Sequence, residues 1–273
     1  MKNYKLIALD MDGTLLNSQK KISPPTLAAL KELLARGIYV VISTGRGLVE
    51  LTDYRQEFKS MHFGVLISGG LVYDFFKEMP LKIHAVDEKT ILQLIDFGLE
   101  ERAMVHLHAV RKSLAREEDI QNMAAFDMEI YRDMFSRVCT RCNDFKAYVR
   151  ENPGEVIKVN LYHRNKESRD RNLARMKKFD LTISFAEANN LEASPKNISK
   201  GSGLRELCEF LNIDLAETIA IGDAYNDLEN LQTAGLPIAM GNAIDEVKKI
   251  CRAVVADNDH DGVLEAIEKY LLR

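Results

Sequence analysis

The chain has 273 residues, 46% of them hydrophobic, and a formal net charge of −4 with acids and bases interspersed. That length allows a large core or two domains, and the lack of a basic excess argues against a nucleic-acid surface. No apolar run is long enough to span a bilayer, and four scattered cysteines give no disulfide framework.

The N-terminus, Met1-Lys2-Asn3-Tyr4-Lys5, leads straight into an apolar segment. It shows no signal segment with a small-residue cleavage site, so a cytoplasmic protein is expected. Leu6 to Leu9 lacks polar alternation and reads as a strand buried on both faces. It ends in Asp10-Met11-Asp12-Gly13-Thr14. On an extended backbone Asp10 and Asp12 point the same way, with alpha carbons about 6–7 Å apart. Two carboxylates that close require a cation or a proton between them. They read either as a nucleophile and acid/base pair sharing a divalent metal or as a plain strand end before an Asp-Gly turn.

Ser23-Pro24-Pro25 opens a helix, with a capping hydroxyl followed by prolines where no amide donor is needed. It runs to about Arg36 with Leu27, Leu30, Leu33 and Leu34 on one face, and Gly37 stops it. Ile38 to Ile42 is a second apolar strand, ending in Ser43-Thr44-Gly45-Arg46. A helix is predicted over about Leu48 to Lys59. A third strand, Phe63 to Ile67, ends in Ser68-Gly69-Gly70. The alternation predicts a parallel sheet with helices on both faces. Ligands bind such sheets beyond the carboxyl ends of the strands, where both polar clusters fall.

The rhythm changes after Gly70. Leu71 to Phe75 and Leu81 to Val86 read as short strands near an antiparallel hairpin. Asp87 starts a helix over about Glu88 to Arg102. Met104 to Ala109 is a strand, followed by a mostly helical, charged stretch to about Arg150. The strand Val156 to Arg164, a basic helix near Lys166 to Lys178 and the strand Leu181 to Ala186 complete the block, which reads as an inserted α+β domain.

Its strands alternate. Val105, Leu107 and Ala109 oppose Met104, His106 and His108, while Ile157, Val159 and Leu161 oppose Lys158, Asn160 and Tyr162. Such a sheet packs helices on its apolar face and leaves the polar face open. That face either meets water or looks onto the active site as a lid. His106 and His108 are weak evidence for a metal without a third ligand. Cys139 and Cys142 form a C-x-x-C pair in a predicted helix. With no second pair or histidines following, they read as incidental thiols.

The α/β rhythm returns at about Leu191. Ser199-Lys200-Gly201 opens a helix to about Leu211. A lysine in a first turn opposes the helix dipole, so it is either simply solvated or offset by an anion. Thr218 to Ile221 is an apolar strand ending in Gly222-Asp223-Ala224-Tyr225-Asn226-Asp227, and a helix continues to Thr233. Those polar residues read as helix caps or as part of an anion site. Leu236 to Met240 and Ala253 to Ala256 are further strands, separated by a helix over about Ile244 to Cys251. Asp261 to Leu271 is the last helix.

Charge links the clusters. Asp10, Asp12 and Asp223 together repel one another, and Mg²⁺ with its hard oxygen ligands relieves this. A phosphate dianion then draws on Lys200, the hydroxyl and amide of Thr44, and the amides of Gly45 and Asn226. Phosphoryl transfer relies mostly on such positioning and neutralisation.

The order DMDGT, TGR, SKG and GDAYND, spread over essentially the whole chain, resembles the haloacid dehalogenase superfamily. More closely it resembles the Cof-like phosphatases, whose large cap is inserted after the third core strand. The resemblance implies a doubly wound, Rossmann-like α/β core of residues 1–83 and 190–273 with an α+β cap of 84–189. It implies a Mg²⁺-dependent phosphatase of small phosphorylated metabolites, with sugar phosphates as the expected class. Asp10 is then the nucleophile that forms an aspartyl phosphate. Asp12 protonates the leaving alcohol and later activates water. Thr44, Lys200 and Asn226 hold the phosphoryl group, helped by the backbone of Met11 and Gly45. Mg²⁺ is bound by Asp10, the Asp12 carbonyl and Asp223, with Asp227 in support.

Two positions depart from the family. Ser68-Gly69-Gly70 stands where Asn-Gly-Ala is common, and Gly47 follows the Thr44-Gly45-Arg46 motif where proline is common. Both bear on substrate identity, not on reaction type. His106, His108, Lys158, Asn160 and Tyr162 on the polar cap face are expected to help choose the substrate. A phosphomutase, or a non-catalytic sensor of a phosphometabolite, are the alternatives. The sensor is disfavoured because binding alone has no need of Asp12. The expected partner is a small phosphorylated molecule, with no nucleic acid or membrane, and the chain is expected to be a monomer or small homo-oligomer.

Overall fold

The computed structural model describes residues 4–58, 61–185 and 188–272. They form two compact units. One comprises Met1–Gly45, Tyr54–Lys82 and Ser199–Arg273, the other Arg46–Asp53 and Ile83–Ile198. No helix among the described residues is long and apolar enough to cross a membrane.

The first unit is built on an eight-stranded sheet. Its order is Ala253–Val254, Leu236–Ala239, Thr218–Gly222, Leu6–Leu9, Tyr39–Ser43, Phe63–Leu66, Leu71–Asp74 and Met79–Ile83. The first six strands pair in parallel, and Phe63–Leu66 pairs antiparallel with Leu71–Asp74. Leu6–Leu9 lies at the centre with no exposed surface, which is why its sequence is apolar without alternation. From this strand the chain winds outward one way through Tyr39–Ser43 and Phe63–Leu66. It later returns to wind the other way through Thr218–Gly222 and Leu236–Ala239. The order therefore reverses between Leu6–Leu9 and Thr218–Gly222, and open α/β sheets form their ligand crevice at such a point.

The helices start where their caps dictate. Ser23 accepts the Thr26 amide before Pro24–Ala35, and Gly37 with φ +75° ends that turn. Ser199 and Ser202 form a reciprocal capping box before Lys200–Leu211. The segment expected as one helix from Leu48 is a 3₁₀ turn, Leu48–Tyr54, followed by the short helix Arg55–Phe58. Lys59 lies outside the described residues.

The second unit holds a six-stranded sheet. Its order is Leu181–Ser184, Asn190–Pro195, Val156–Tyr162, Met104–Ala109, Ser113–Ala115 and Cys139–Arg141. Asn190–Pro195 pairs with both Val156–Tyr162 and Leu181–Ser184. The expected return to the core at residue 190 is therefore too early, and the first unit resumes at Ser199. The strand expected to reach Ala186 ends at Ser184, and Ala186 lies outside the described residues. Cys139 opens a strand, not a helix, because residues 139–141 pair with Ser113–Ala115. Both thiols are free.

The largest correction concerns the polar face of this sheet. Val105, Leu107, Val159 and Leu161 pack against Ile91, Leu94, Ile95 and Phe145, as the alternation requires. The opposite face is covered too. Met104 and Tyr162 pack with Ile120, Met123, Phe126 and Phe135. His106, His108, Lys158, Asn160 and Tyr162 are each 6% exposed or less. The face expected to be open is a buried polar layer: residues 120–135 pack over its Met104, His106 and Tyr162 end, while Glu50 and Glu192 stand beside His108 and Lys158.

Candidate active site

Two neighbouring central strands end in acids. Asp10 follows Leu9, and its amide continues the ladder to the Ile221 carbonyl. Asp223 follows Gly222. Beyond Leu9 the chain turns at once. The Thr14 and Leu16 amides donate to the Met11 carbonyl, and the Leu15 amide to the Asp10 carbonyl. Gly13 has φ +82°, and a Cβ there would stand 2.5 Å from Asp223 Oδ2. Only glycine meets both demands. Thr14 Oγ1 then donates to Asp223 Oδ1 at 2.7 Å, tying the two strand ends together.

Lys200 enters from the first turn of Lys200–Leu211. Its Nζ lies 2.5 Å from Asp10 Oδ1 and 2.7 Å from Asp227 Oδ1. The lysine has no exposed surface, so the reading of a solvated side chain does not apply. Oxygens of Asp10, Asp223 and Asp227 all lie within 4.8 Å of one another. Asp227 Oδ2 also accepts the amides of Asp223 and Ala224 at 3.0 and 3.1 Å.

One turn sets where Lys200 stands. Ile67 and Ser68 have φ +50° and +54°, a conformation that a β-branched residue rarely adopts. The Ser68 amide donates to the Thr44 carbonyl and holds it there. Gly69 follows with φ +96°, and a Cβ at that position would be 1.9 Å from the Ser199 carbonyl oxygen. The strand end and the helix cap thus touch backbone to backbone, which brings Lys200 to Asp10.

Charge in this cluster is unbalanced. Burial, then the neighbouring Asp227, pushes the Asp10 carboxyl well above its usual range. Burial pushes Asp223 up to about 6, against the Thr14 hydrogen bond. Burial works against the charge on Lys200, but Asp10 and Asp227 outweigh it and raise its pKa. Three carboxylates around one ammonium leave excess negative charge in a buried place. A hard divalent cation offsets such a set of oxygens, so the residues fit Mg²⁺.

The other expected residues are placed less uniformly. Thr44 is buried at the end of Tyr39–Ser43, but its amide donates to the Val65 carbonyl at 2.9 Å. The amide expected to meet phosphate is therefore committed to the sheet. Gly45 stands beside Ser68, whose Oγ would be 3.5 Å from an added Cβ. Met11 is buried. Asn226 is exposed within the turn Tyr225–Asp227. Asp12 is half-buried, and its Oδ1 takes an ion pair from Lys20 Nζ at 2.7 Å.

Sequence reasoning missed several supports. Lys20 carries no motif. Asn242 and Asn258 donate side-chain amides to the carbonyls of Gly13 and Leu16. They pin the loop after the first strand from more than 200 residues away, so no local pattern reveals them. The acid Glu50 was also missed. It is buried in the second unit beside His106 and His108, where burial pushes both imidazoles down to about 3 and keeps them neutral.

Residues 7–267 match the haloacid dehalogenase-like hydrolase family. A 5-amino-6-(5-phospho-D-ribitylamino)uracil phosphatase of Bacillus subtilis is 31% identical over 280 residues, covering 97% of each chain. Phosphatase YwpJ of the same organism is 30% identical over 288 residues, covering 98% of this chain and all of that one. A solved haloacid dehalogenase-like hydrolase from Bacteroides thetaiotaomicron superposes with a TM-score of 0.84 at 26% identity, over 98% of this chain and 99% of that one. The family match spans both strand-end acids and Lys200, and this chain belongs to the haloacid dehalogenase-like hydrolases.

Proposed function

We propose that Asp10 carries the phosphoryl group during turnover of phosphate monoesters by this enzyme. The chain is a phosphatase of small phosphorylated metabolites. The observation that supports the residue assignment is the placement of Lys200 between Asp10 and Asp227, with Asp223 in reach, at the point where strand order reverses.

The proposed reaction has two halves. An Asp10 carboxylate oxygen attacks phosphorus, and the bond to the leaving oxygen breaks. The Asp12 carboxylic acid gives its proton to that oxygen. A water then attacks the aspartyl phosphate while Asp12 takes its proton, which releases inorganic phosphate and restores Asp10. The Lys20–Asp12 pair is largely exposed, with 59% and 40% of the side chains open. Such a pair is worth about 1 kcal/mol or less, so an arriving substrate exchanges it readily. Lys200 and the Thr44 hydroxyl hold the phosphoryl oxygens. The Asn226 side and the backbone of Met11 and Gly45 are assigned the same task.

Asp10, Asp223 and the Asp12 carbonyl are the groups proposed to hold Mg²⁺. Bound there, Mg²⁺ supplies charge neutralisation for the phosphoryl oxygens. Asp227 orients Lys200 and the strand end.

The proposed substrate class is phosphorylated sugars and polyols. It is supported by the 31% identical relative, which acts on a phosphoribityl compound. Lys158, Asn160 and Tyr162 are proposed to select the leaving group. His106 and His108, expected to share that role, stand against Glu50 instead.

The test is Asp10→Asn assayed with p-nitrophenyl phosphate and with a panel of sugar and polyol phosphates. Turnover is expected to vanish, and full activity in the variant removes the assignment. Free phosphate as the product separates the phosphatase from a phosphomutase, which returns the phosphoryl group to sugar.

A further inference from the structure

The buried polar layer of the second unit contains a group that phosphoryl transfer does not use. Glu50, His106 and His108 are 6%, 1% and 4% exposed. Glu50 Oε1 lies 3.9 Å from His106 Nε2 and 3.8 Å from His108 Nδ1, and one donor atom from each residue falls within 4.8 Å of the other two. These separations are too long for hydrogen bonds. An acid and two imidazoles thus face one another in the interior without bonding directly to each other. The ring nitrogen of His108 that points at Glu50, Nδ1, has no hydrogen-bond partner among the described residues.

We propose that Glu50, His106 and His108 form a second metal site, for a borderline divalent transition metal such as Zn²⁺. Two imidazoles and one carboxylate form a recognised zinc donor set, with ligand distances of about 2.0–2.2 Å. Donors around one tetrahedral ion at that distance stand roughly 3.3–3.6 Å apart. The two separations from Glu50 Oε1, 3.9 and 3.8 Å, exceed that by a few tenths of an ångström. Nitrogen donors favour zinc, copper or nickel over magnesium, so this site and the all-carboxylate cluster of the first unit prefer different ions.

The surroundings supply what ligands need. Glu50 Oε2 accepts the Gly47 amide at 2.7 Å, which fixes the carboxylate, and Oε1 accepts a long hydrogen bond from Ser113 Oγ at 3.3 Å, one that an ion would replace. Asn160 is the neighbour of His108 Nε2, at 3.3 Å, and also of the Tyr162 hydroxyl, at 3.1 Å. Turned about its Cγ, the Asn160 amide offers Oδ1 to both as an acceptor. His108 then carries its proton on Nε2 and presents the Nδ1 lone pair to the ion, the arrangement common among metal-bound histidines. Ser113 Oγ lies 2.5 Å from His106 Nε2, with Cys139 Sγ 3.4 Å beyond it. Ser113 is a hydrogen-bond partner of that nitrogen and would have to turn away, and a water completes four-fold coordination.

The site stands independently of the phosphatase assignment, because none of its donors belongs to the first unit. The test uses the full chain without a histidine tag, in excess Mg²⁺, after dialysis against Zn²⁺. About one equivalent of zinc is expected to remain bound. Co²⁺ in its place is expected to give visible d–d absorption with tetrahedral intensity. His108→Ala and Glu50→Gln are each expected to weaken Zn²⁺ binding at least tenfold and to abolish the cobalt spectrum. Asp10→Asn combined with Asp223→Asn is expected to leave both unchanged. Absence of retained zinc and of a cobalt spectrum in the wild-type chain overturns the proposal and makes the layer a water-filled polar pocket. So does a spectrum that survives in both second-unit variants. Because the wild-type measurement decides alone, misfolding of a variant does not protect the idea.

Discussion

Lys200 Nζ binds Asp227 Oδ1 at 2.7 Å in a place where neither side chain has exposed surface. The same nitrogen holds Asp10 Oδ1 at 2.5 Å. A single ammonium therefore balances two buried carboxylates. Removing one partner of a buried ion pair leaves an uncompensated charge and costs about 3–5 kcal/mol. Lys200→Met is expected to lower the melting temperature by several degrees and kcat by at least a hundredfold. Added Mg²⁺ is expected to recover part of the stability but not the rate. Thermal melts with and without Mg²⁺, beside steady-state kinetics, check this; an unchanged melt contradicts the buried pairing.

Gly13 and Gly37 separate backbone strain from crowding. Both have positive φ, +82° and +75°. An alanine Cβ at Gly37 meets nothing within 4 Å, so Gly37→Ala is expected to cost only the left-handed strain, about 1–2 kcal/mol. At Gly13 the Cβ meets the Asp223 carboxylate at 2.5 Å. Gly13→Ala is expected to destabilise more and also to raise the Mg²⁺ concentration needed for half-maximal rate. Equal losses in the two variants, with no change in Mg²⁺ dependence, count against the close approach of Gly13 and Asp223.

The strand-end acids were readable because a strand buried on both faces admits no polar residue until it leaves the sheet. Leu6–Leu9 and Thr218–Gly222 are such strands, so Asp10 and Asp223 announced themselves. Lys200 was readable only through its company, since a lysine in a first helical turn is unfavourable unless an anion offsets it. Glu50 was not readable. It sits among Val49 and Leu51 in a stretch that reads as helix, and Ser113, which donates to it, lies 63 residues away in sequence. Period-two alternation separated the two faces of the second sheet. It could not tell that the polar one is buried, with residues 120–135 packed over its Met104 and Tyr162 end, because coverage is decided by distant segments. The pairing of Asn190–Pro195 escaped for the same reason.

Metal removal tests the first unit as a whole. Burial and Asp227 push Asp10 up, against the pull of the Lys200 ammonium, so a cation bound among these carboxylates is expected to matter. EDTA is expected to abolish turnover, and Mg²⁺ to restore it. Thr14 Oγ1, which donates to Asp223 Oδ1, orients one proposed ligand. Groups in that position typically change metal affinity by about 10–100-fold. Thr14→Val is expected to weaken Mg²⁺ by that factor while kcat at saturating Mg²⁺ changes little. A loss of kcat with unaltered Mg²⁺ affinity speaks against this role.

Asp223 and Asp227 are both within reach of Asp10, yet their hydrogen bonds assign them different work. Asp227 spends Oδ1 on Lys200 and Oδ2 on the Asp223 and Ala224 amides, and its side chain is fully buried. Its oxygens are occupied in holding the structure. Asp223 accepts only the Thr14 hydroxyl on Oδ1 among the hydrogen bonds its carboxylate makes to described residues, and it is half-buried. It retains lone pairs for an ion. Asp223→Asn is therefore expected to raise the Mg²⁺ requirement at least tenfold with a small change in melting temperature. Asp227→Asn is expected to do the reverse. It replaces an acceptor of two backbone amides and of the Lys200 ammonium by a group with one acceptor oxygen, so stability falls first. Calorimetric Mg²⁺ titrations and thermal melts of the two variants, taken together, read the difference. If Asp227→Asn loses Mg²⁺ affinity as strongly as Asp223→Asn while keeping its melting temperature, Asp227 is itself a ligand and the division of labour is wrong.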